Sequence, residues 1–186
     1  STSSLYDKIM KKSTLSPNIF VNKIADHNKH KAVLLNYFSQ GINKLDDKIS
    51  NITNTDWSKN NDFKREWIHY FKDNVLNQVQ NNLLDDRLAV NLILHNIWFQ
   101  QYEQDDVHEW HTHAASQYTN IYYVELPDTS LKTEILGEED IEVEEGDILS
   151  LPAYIFHRSK INKTNQRKTV VSFNTSYDRL NIDKIN

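Results

Sequence analysis

The sequence predicts a mainly β protein with N-terminal helices, in which the β part folds as a jelly roll. Two observations predict this class. After about residue 88 the apolar residues occur in short runs separated by turn residues, without helical spacing. Before that point, two segments do carry helical spacing. We therefore expect residues 1–87 to form a helical support region within the same domain as a β core of residues 88–186.

Two segments of the N-terminal half are predicted to be helical. The apolar residues between positions 32 and 38 are too dense for an alternating strand, and Gly41 marks the expected end of this helix. Further on, apolar residues recur at every fourth position from Phe63 to Leu83. This spacing predicts an amphipathic helix over residues 61–84 that packs on the outside of a sheet.

Short strands are predicted for the remainder of the chain. Their expected bounds are 92–102, 107–113, 119–126, 131–136, 141–144, 147–151, 155–161 and 168–177. Many short strands with frequent turns are typical of a sandwich or a jelly roll rather than of a parallel sheet.

The composition excludes several classes of function. The chain has no cysteine, so disulfides, cysteine-ligated zinc and a thiol nucleophile are impossible. It has three glycines and no glycine-rich phosphate-binding motif. With a net charge of −5 and a pI of about 5.9, a broad nucleic-acid-binding surface is not expected. No signal segment or membrane-spanning apolar run is evident, so we expect a soluble, cytoplasmic protein without a membrane partner.

Residues 108–113 read His-Glu-Trp-His-Thr-His. Because side chains alternate along a strand, we expect Glu109, His111 and His113 to share one face and His108 to lie on the other. Two imidazoles on one face can bind one divalent metal and leave other coordination positions open. Such pairs also occur on solvated strands without a function, so a third ligand is needed to support a metal site.

His157 is the candidate third ligand. The run of residues 146–152 has the pattern of a turn followed by a short buried strand, and His157 follows its proline by five residues. In a jelly roll, strands that are distant in sequence become neighbours in space. We therefore predict that His111, His113 and His157 converge at one mouth of the barrel.

Five segments of the C-terminal half resemble one known family. They read WFQQY at 98–102, WHTH at 110–113, YTNIYYVELP at 118–127, GDILSLPAYIFH at 146–157 and RKTVVSFN at 167–174. In this order they are similar to the 2-oxoglutarate- and Fe(II)-dependent oxygenases of bacteriophages, distant relatives of prolyl 4-hydroxylase. The resemblance covers residues 92–177 and implies a double-stranded β-helix. It also implies a location in the host cytoplasm, if the chain is phage-encoded.

The resemblance further implies roles for individual residues. His111 and His157 would be iron ligands, and Arg167 would bind the far carboxylate of 2-oxoglutarate, for which the planar guanidinium is well suited. Thr169 resembles the hydroxyl partner that follows this arginine in the wider superfamily. The family's second ligand is a carboxylate, whereas this sequence has His113, so we rank a three-histidine site above one that uses Glu109.

The same residues also fit the cupin pattern. Gly146, Pro152 and His157 match the late cupin motif, with Tyr154 in place of its second glycine. Gln117 lies where cupins often carry a glutamate ligand. Cupins with three histidines include oxygenases that need no 2-oxoglutarate, so this alternative stays open.

Three functional hypotheses therefore follow from the sequence. The leading one is an Fe(II)/2-oxoglutarate-dependent oxygenase of the hydroxylase type, with 2-oxoglutarate as a small-molecule cosubstrate. The second is a cupin-like three-histidine enzyme that does not use 2-oxoglutarate, and the third is a non-catalytic jelly-roll binding or structural protein. The sequence determines neither the substrate nor the oligomeric state.

Overall fold

A computed structural model describes residues 10–12, 19–85 and 91–177. Two β-sheets pack against each other, as expected for a jelly roll. The large sheet has the strand order β1-β2-β10-β8-β12-β6-β5, and the small sheet has the order β3-β4-β7-β11-β9. The strands are β1 Met10–Lys12, β2 Phe20–Lys23, β3 Leu45–Asp46, β4 Ser50–Ile52, β5 Asn54–Thr55, β6 Leu92–Tyr102, β7 Val107–His111, β8 Tyr118–Glu125, β9 Glu134–Ile135, β10 Asp147–Pro152, β11 His157–Ser159 and β12 Lys168–Tyr177.

The described α-helices lie in the N-terminal half. They are α1 His27–Phe38, α2 Glu66–Phe71 and α3 Asn77–Asp85, and a π-helical segment Lys72–Leu76 joins the last two. Short 3-10 helices occupy Trp57–Lys59 and, in the C-terminal half, Thr129–Leu131. The long helix predicted over 61–84 therefore begins later, at Glu66, and a π-helical segment interrupts it. Helix α1 ends at Phe38, so Gly41 does not mark its end. No described helix is long and apolar enough to cross a membrane.

Two apolar cores lie on opposite faces of the large sheet. On one face the helices contribute Phe38, Trp67 and Phe71, which pack with Val171 and Phe173 of β12. The other face turns towards the small sheet. That core includes Ile52 and Ile135 of the small sheet, packed with Ile121, Tyr123, Leu149 and Val170 of the large sheet. The helices therefore support the large sheet from outside, as the amphipathic pattern predicts.

The N-terminal half also contributes strands, which the sequence analysis largely missed. Strands β1, β2 and β5 extend the large sheet, while β3 and β4 extend the small sheet. They are two to four residues long, too short to show an alternating pattern. The described strands of the N-terminal half are thus hydrogen-bonded into the two sheets.

The C-terminal strands agree well with the prediction. Strands β6 and β12 have the predicted bounds, and each bound of β7, β8, β10 and β11 lies within two residues of its predicted position. Within 131–136 only Glu134–Ile135 forms a strand, and residues 141–144 form none.

The turn before β10 requires a glycine. Gly146 has a φ of +92° there, and a Cβ at this position would lie 2.9 Å from the His27 ring.

Candidate metal centre

Three histidines meet between strands β7 and β11 of the small sheet. His111 ends β7 and pairs directly with His157, the first residue of β11. His113 lies two residues beyond β7, where its backbone N–H donates to Ala153 O at 2.9 Å. One side-chain nitrogen from each ring lies within 4.8 Å of the others. The structure thus brings together the three histidines that the sequence predicts, in an arrangement that can hold one metal ion.

Hydrogen bonds to the main chain orient two of these rings. His111 Nδ1 lies 2.6 Å from Glu109 O, and His157 Nδ1 lies 3.0 Å from Ile155 O. Because a carbonyl oxygen can only accept, both Nδ1 atoms carry the proton and both Nε2 atoms present a lone pair. His113 Nε2 is buried and has no hydrogen-bond partner. The donor set therefore fits a metal: two Nε2 lone pairs beside a third ring nitrogen without a protein partner.

Burial keeps the imidazoles neutral. Together with the neighbouring imidazoles, burial lowers the pKa of His113 to about 3 and that of His157 to about 4, and burial is the larger cause in both. The pKa of His111 is also lowered by burial. Neutral imidazole is the form that binds metal, so no proton has to leave at neutral pH.

A β-bulge adds a fourth histidine to the cavity. His157 pairs with His111, whereas Ser159 pairs with His108, so β7 has one residue more than β11 over this interval. The extra residue places the His108 ring on that of His111, with centroids 3.7 Å apart and an angle of 9° between them. The expectation that His108 lies on the opposite face from His111 is therefore wrong.

The same bulge turns Glu109 away from the cavity. Its carboxylate Oε2 lies 3.4 Å from Arg158 Nη1, and its side chain is about half exposed, 47 %. Arg158 lies between His157 and Ser159 in β11 and is less buried than both of them, although part of its side chain lines the cavity. The expectation that Glu109 shares a face with His111 is wrong, and Glu109 is not a member of the metal-binding group.

An inner cavity extends from the histidines between the sheets. It measures about 30 Å³ and is lined by the four imidazoles together with Trp98, Gln100, Tyr102, Thr119, Ile121, Thr133, Arg158, Ser159, Lys168, Val170 and Ser172. Two of the lining residues are basic, Arg158 and Lys168. Arg158 is paired, because its Nε donates to Glu134 Oε2 at 2.6 Å.

Lys168 is the unpaired cation of this cavity. It is 2 % exposed, and its Nζ donates to Ser159 Oγ at 2.9 Å. Nζ also lies 5.2 Å from the centre of the Tyr102 ring, and no carboxylate pairs with it within the described ranges. Burial lowers the pKa of Lys168 to about 7, with a further contribution from Lys160. A buried ammonium without an anionic partner is suited to bind an anionic ligand.

Arg167 and Thr169 lie elsewhere. Arg167 Nε donates to Glu125 Oε1 at 2.8 Å, and Thr169 Oγ1 donates to the same oxygen at 2.5 Å. Because side chains alternate along β12, both lie on the opposite face from Lys168, and neither lines the histidine cavity. This corrects the expectation that Arg167 and Thr169 bind a cosubstrate beside the metal. Lys168, one position along, is the cation that faces the histidines.

The two remaining positions of the cupin pattern are not ligands either. The Gln117 side chain Oε1 accepts from the backbone N–H of Tyr177 at 2.9 Å. Tyr154 is 74 % exposed. Neither residue belongs to the metal-binding group.

A second, larger cavity opens on the outer side of the histidines. It measures about 390 Å³, within the range of small-molecule sites. Its lining is Leu45, Asp47, Ile49, Ser50, Trp57, Asn96, Trp98, Gln100, His108, His111, Thr112, His113, Ala114 and Asn174. Trp98, Gln100 and three of the histidines line both cavities, so the metal centre lies between them.

Comparisons with known proteins identify the fold. Neither a protein-family model nor a curated protein matches the sequence. Solved structures do match, at low identity. A Pseudomonas putida prolyl 4-hydroxylase has a TM-score of 0.59 and 9 % identity, over 86 % of this chain and 92 % of that one. The viral collagen prolyl hydroxylase of Paramecium bursaria Chlorella virus-1 was crystallised as a 2-oxoglutarate complex. It has a TM-score of 0.61 and 12 % identity, over 84 % of this chain and 96 % of that one.

A third neighbour belongs to the same group of folds. HygX from Streptomyces hygroscopicus, with nickel and 2-oxoglutarate bound, has a TM-score of 0.63 and 11 % identity, over 87 % of this chain and 83 % of that one. The chain therefore has the double-stranded β-helix fold that these 2-oxoglutarate-dependent proteins share, as the sequence predicts. Fold alone does not define function, which has to be argued from the site.

Proposed function

We propose that this chain is an Fe(II)- and 2-oxoglutarate-dependent oxygenase. The observation that carries the proposal is the pairing of a three-imidazole centre with the buried, carboxylate-free ammonium of Lys168 in one cavity. The fold, shared with proteins crystallised with 2-oxoglutarate and with nickel or iron, supports it. A phage origin and a cytoplasmic location remain predictions.

The proposal assigns roles to individual residues. His111, His113 and His157 would hold the metal through ring nitrogens. Lys168 would pair with the remote carboxylate of 2-oxoglutarate, with Ser159 as the neutral partner that holds the ammonium in place. Trp98 lies stacked on His113, with centroids 5.9 Å apart, and would exclude water from that side. Bound iron and 2-oxoglutarate would supply the oxidative chemistry, and the protein would orient and shield the reactants.

Two features of this centre affect how it would bind a keto acid. Three neutral imidazoles leave a divalent metal with its full charge of +2, which strengthens attraction for a dianionic keto acid. The inner cavity has a volume of about 30 Å³, close to that of one water molecule. A five-carbon keto acid that reaches Lys168 must therefore displace side chains along its path.

These same features favour a second candidate function, a three-histidine metal enzyme that does not use 2-oxoglutarate. No carboxylate belongs to the metal-binding group found in the described ranges, and the inner cavity is narrow. Such an enzyme would bind its substrate directly at the metal from the outer cavity.

One titration separates the two candidates. Under the leading proposal, adding 2-oxoglutarate to the Fe(II)-loaded protein without oxygen produces a metal-to-ligand charge-transfer band, and admitting oxygen converts 2-oxoglutarate slowly to succinate. The reference compound is 2-oxobutyrate, a keto acid that lacks the remote carboxylate, and it should bind more weakly. A protein that holds iron but gives neither band nor succinate would support the second candidate. A protein that holds no metal would contradict both.

A further inference from the structure

The outer cavity has the dimensions and lining of a binding site for a small polar molecule. Its volume is about 390 Å³, and it opens directly onto His111 and His113. Its polar lining consists of one carboxylate, side-chain amides, hydroxyls and imidazoles, and no lysine or arginine belongs to it. Anionic groups such as phosphates would therefore find no basic side chain there, whereas a cation would find a carboxylate.

Asp47 is the only carboxylate in this lining, and the main chain holds it in place. Its Oδ1 accepts from the backbone N–H groups of Ile49 at 2.9 Å and Ser50 at 2.8 Å. The Ile49 N–H is the main cause that holds the pKa of Asp47 below its ordinary value, so the group is ionised at neutral pH. No basic side chain forms an ion pair with Asp47 in the described part of the chain. The Ser50 hydroxyl also bonds the carboxylate, but its two oxygens together offer about four acceptor sites, so capacity remains for a ligand.

Two buried polar groups on the lining keep hydrogen-bonding capacity. Trp98 is 1 % exposed and its Nε1–H has no acceptor, while Asn174 is 5 % exposed and its Oδ1 interacts within the protein only with the neighbouring His113 ring, which leaves it able to accept a further bond. Asn174 Nδ2 donates to Asn96 Oδ1 at 2.7 Å, which fixes the orientation of the amide. Buried polar groups are nearly always hydrogen-bonded, so an unpaired donor and an acceptor with remaining capacity on a cavity wall indicate a ligand that carries both.

The cavity also offers an aromatic surface. Trp57 is 39 % exposed and packs edge-on against Trp98, with ring centroids 4.5 Å apart. Ile49, which is 42 % exposed, adds an aliphatic neighbour. An exposed indole can bind the carbon–hydrogen face of a saturated ring, and it also attracts a nearby cation through its π-system.

We propose that the outer cavity binds a small hydroxylated amine, such as an amino sugar or an aminocyclitol. Its ammonium would lie beside Asp47, its ring would lie against Trp57, and its hydroxyls would reach Trp98 Nε1 and Asn174 Oδ1. A lysine side chain of a peptide fits less well, because its aliphatic stem would form a hydrogen bond with neither of these buried groups. The inference that this amine is the oxidised substrate rests on the proposed function, whereas its binding does not.

The test is a direct binding measurement on the purified full chain. Isothermal titration and saturation-transfer NMR would compare two matched pairs of probes, glucosamine with glucose and 2-deoxystreptamine with myo-inositol. We expect at least one amine to bind at least tenfold more tightly than its neutral partner. Glucose 6-phosphate should not compete. If neither amine binds, or if each neutral partner binds equally well, the proposal is overturned.

Variants identify the group responsible. Asp47→Asn removes the charge but keeps an Oδ1 that can accept from Ile49 and Ser50, so the local turn is preserved. It should abolish the preference for the amine. The matched control is Asp46→Asn, because Asp46 is exposed, lies 3.8 Å from Lys44 and does not line the cavity. This control should leave the preference unchanged. A preference that survives Asp47→Asn overturns the assignment, as does tighter binding of a capped lysine than of either amine.

The outcomes separate this inference from the proposed function. Amine binding without succinate formation would leave the inference standing and contradict the oxygenase. Succinate formation without amine binding would support the oxygenase and contradict the amine site. If both hold, amine should accelerate succinate formation in the wild-type protein and in Asp46→Asn, but not in Asp47→Asn.

Discussion

The face of strand β12 that lines the inner cavity can be compared with the face that lies under the helices. The first carries three buried polar residues, Lys168, Ser172 and Asn174, and one buried valine, Val170. The second carries Val171 and Phe173, which are fully buried among apolar side chains. Burial is therefore similar on both faces, and chemistry differs. The apolar face stabilises the fold, whereas the polar face is available to bind ligands.

The largest effect is expected on the apolar face. Phe173 is 0 % exposed, and its ring centroid lies 5.4 Å from that of Phe71. Phe173→Ala should lower the free energy of unfolding by about 3–5 kcal/mol, because it removes buried contacts and leaves a cavity. Urea denaturation would measure this. Ser172→Ala on the opposite face is the control and should cost about 1 kcal/mol or less. Equal losses would mean that both faces are structural.

The next effect concerns the metal. His157→Ala should weaken binding of a divalent transition metal by about 100-fold or more, since even the residues that orient a ligand contribute 10- to 100-fold. Titration with cobalt(II) would measure the affinity. The control is His108→Ala, because His108 lines the same cavity but is not in the metal-binding group. If His108→Ala were the more damaging change, the ligand set would have to be revised.

Lys168 and Arg167 are neighbours in sequence but lie on opposite faces of β12, so their variants compare the two faces directly. Lys168→Met should weaken 2-oxoglutarate binding to the metal-loaded protein by about 10- to 100-fold, because a charged hydrogen bond contributes about 1.5–3 kcal/mol. Arg167→Met should change the affinity by less than about threefold, because Arg167 binds Glu125 outside the cavity. Anaerobic titration of the charge-transfer band gives both values. A larger loss in Arg167→Met would restore the assignment that the sequence favours.

The smallest effect is a dependence of stability on pH. Burial lowers the pKa of Lys168 from 10.5 to about 7, so between pH 7 and 10.5 the unfolded chain holds more protons at this site. Folding stability contributed by Lys168 should therefore rise with pH in this window, by up to about 1.4 kcal/mol per pH unit. Urea denaturation at pH 7, 8 and 9 would show the rise in wild type relative to Lys168→Met. Parallel curves for the two proteins would contradict the lowered pKa of the buried Lys168.

Sequence reasoning found the β architecture and the three converging histidines, because both depend on regular patterns. The bounds of β12 were predicted correctly, but its orientation was not. Val170 and Val171 are both buried, on opposite faces, so the strand shows no alternation from which to decide whether Arg167 or Lys168 faces the cavity. The bulge in β7 likewise has no signature in the sequence, and it reverses the expected facing of His108 and Glu109.

The bonds from His111 and His157 to the carbonyl oxygens of Glu109 and Ile155 have a consequence for assembly of the centre. Main-chain carbonyls of strand β7 and of the turn before β11 orient the two rings, so the fold rather than the ion sets their geometry. The metal ion should then bind reversibly after the chain has folded, without any refolding. Chelation should strip the ion while the far-ultraviolet circular dichroism spectrum stays constant, and adding the ion back should restore the centre, unlike a zinc finger, whose fold collapses without its metal.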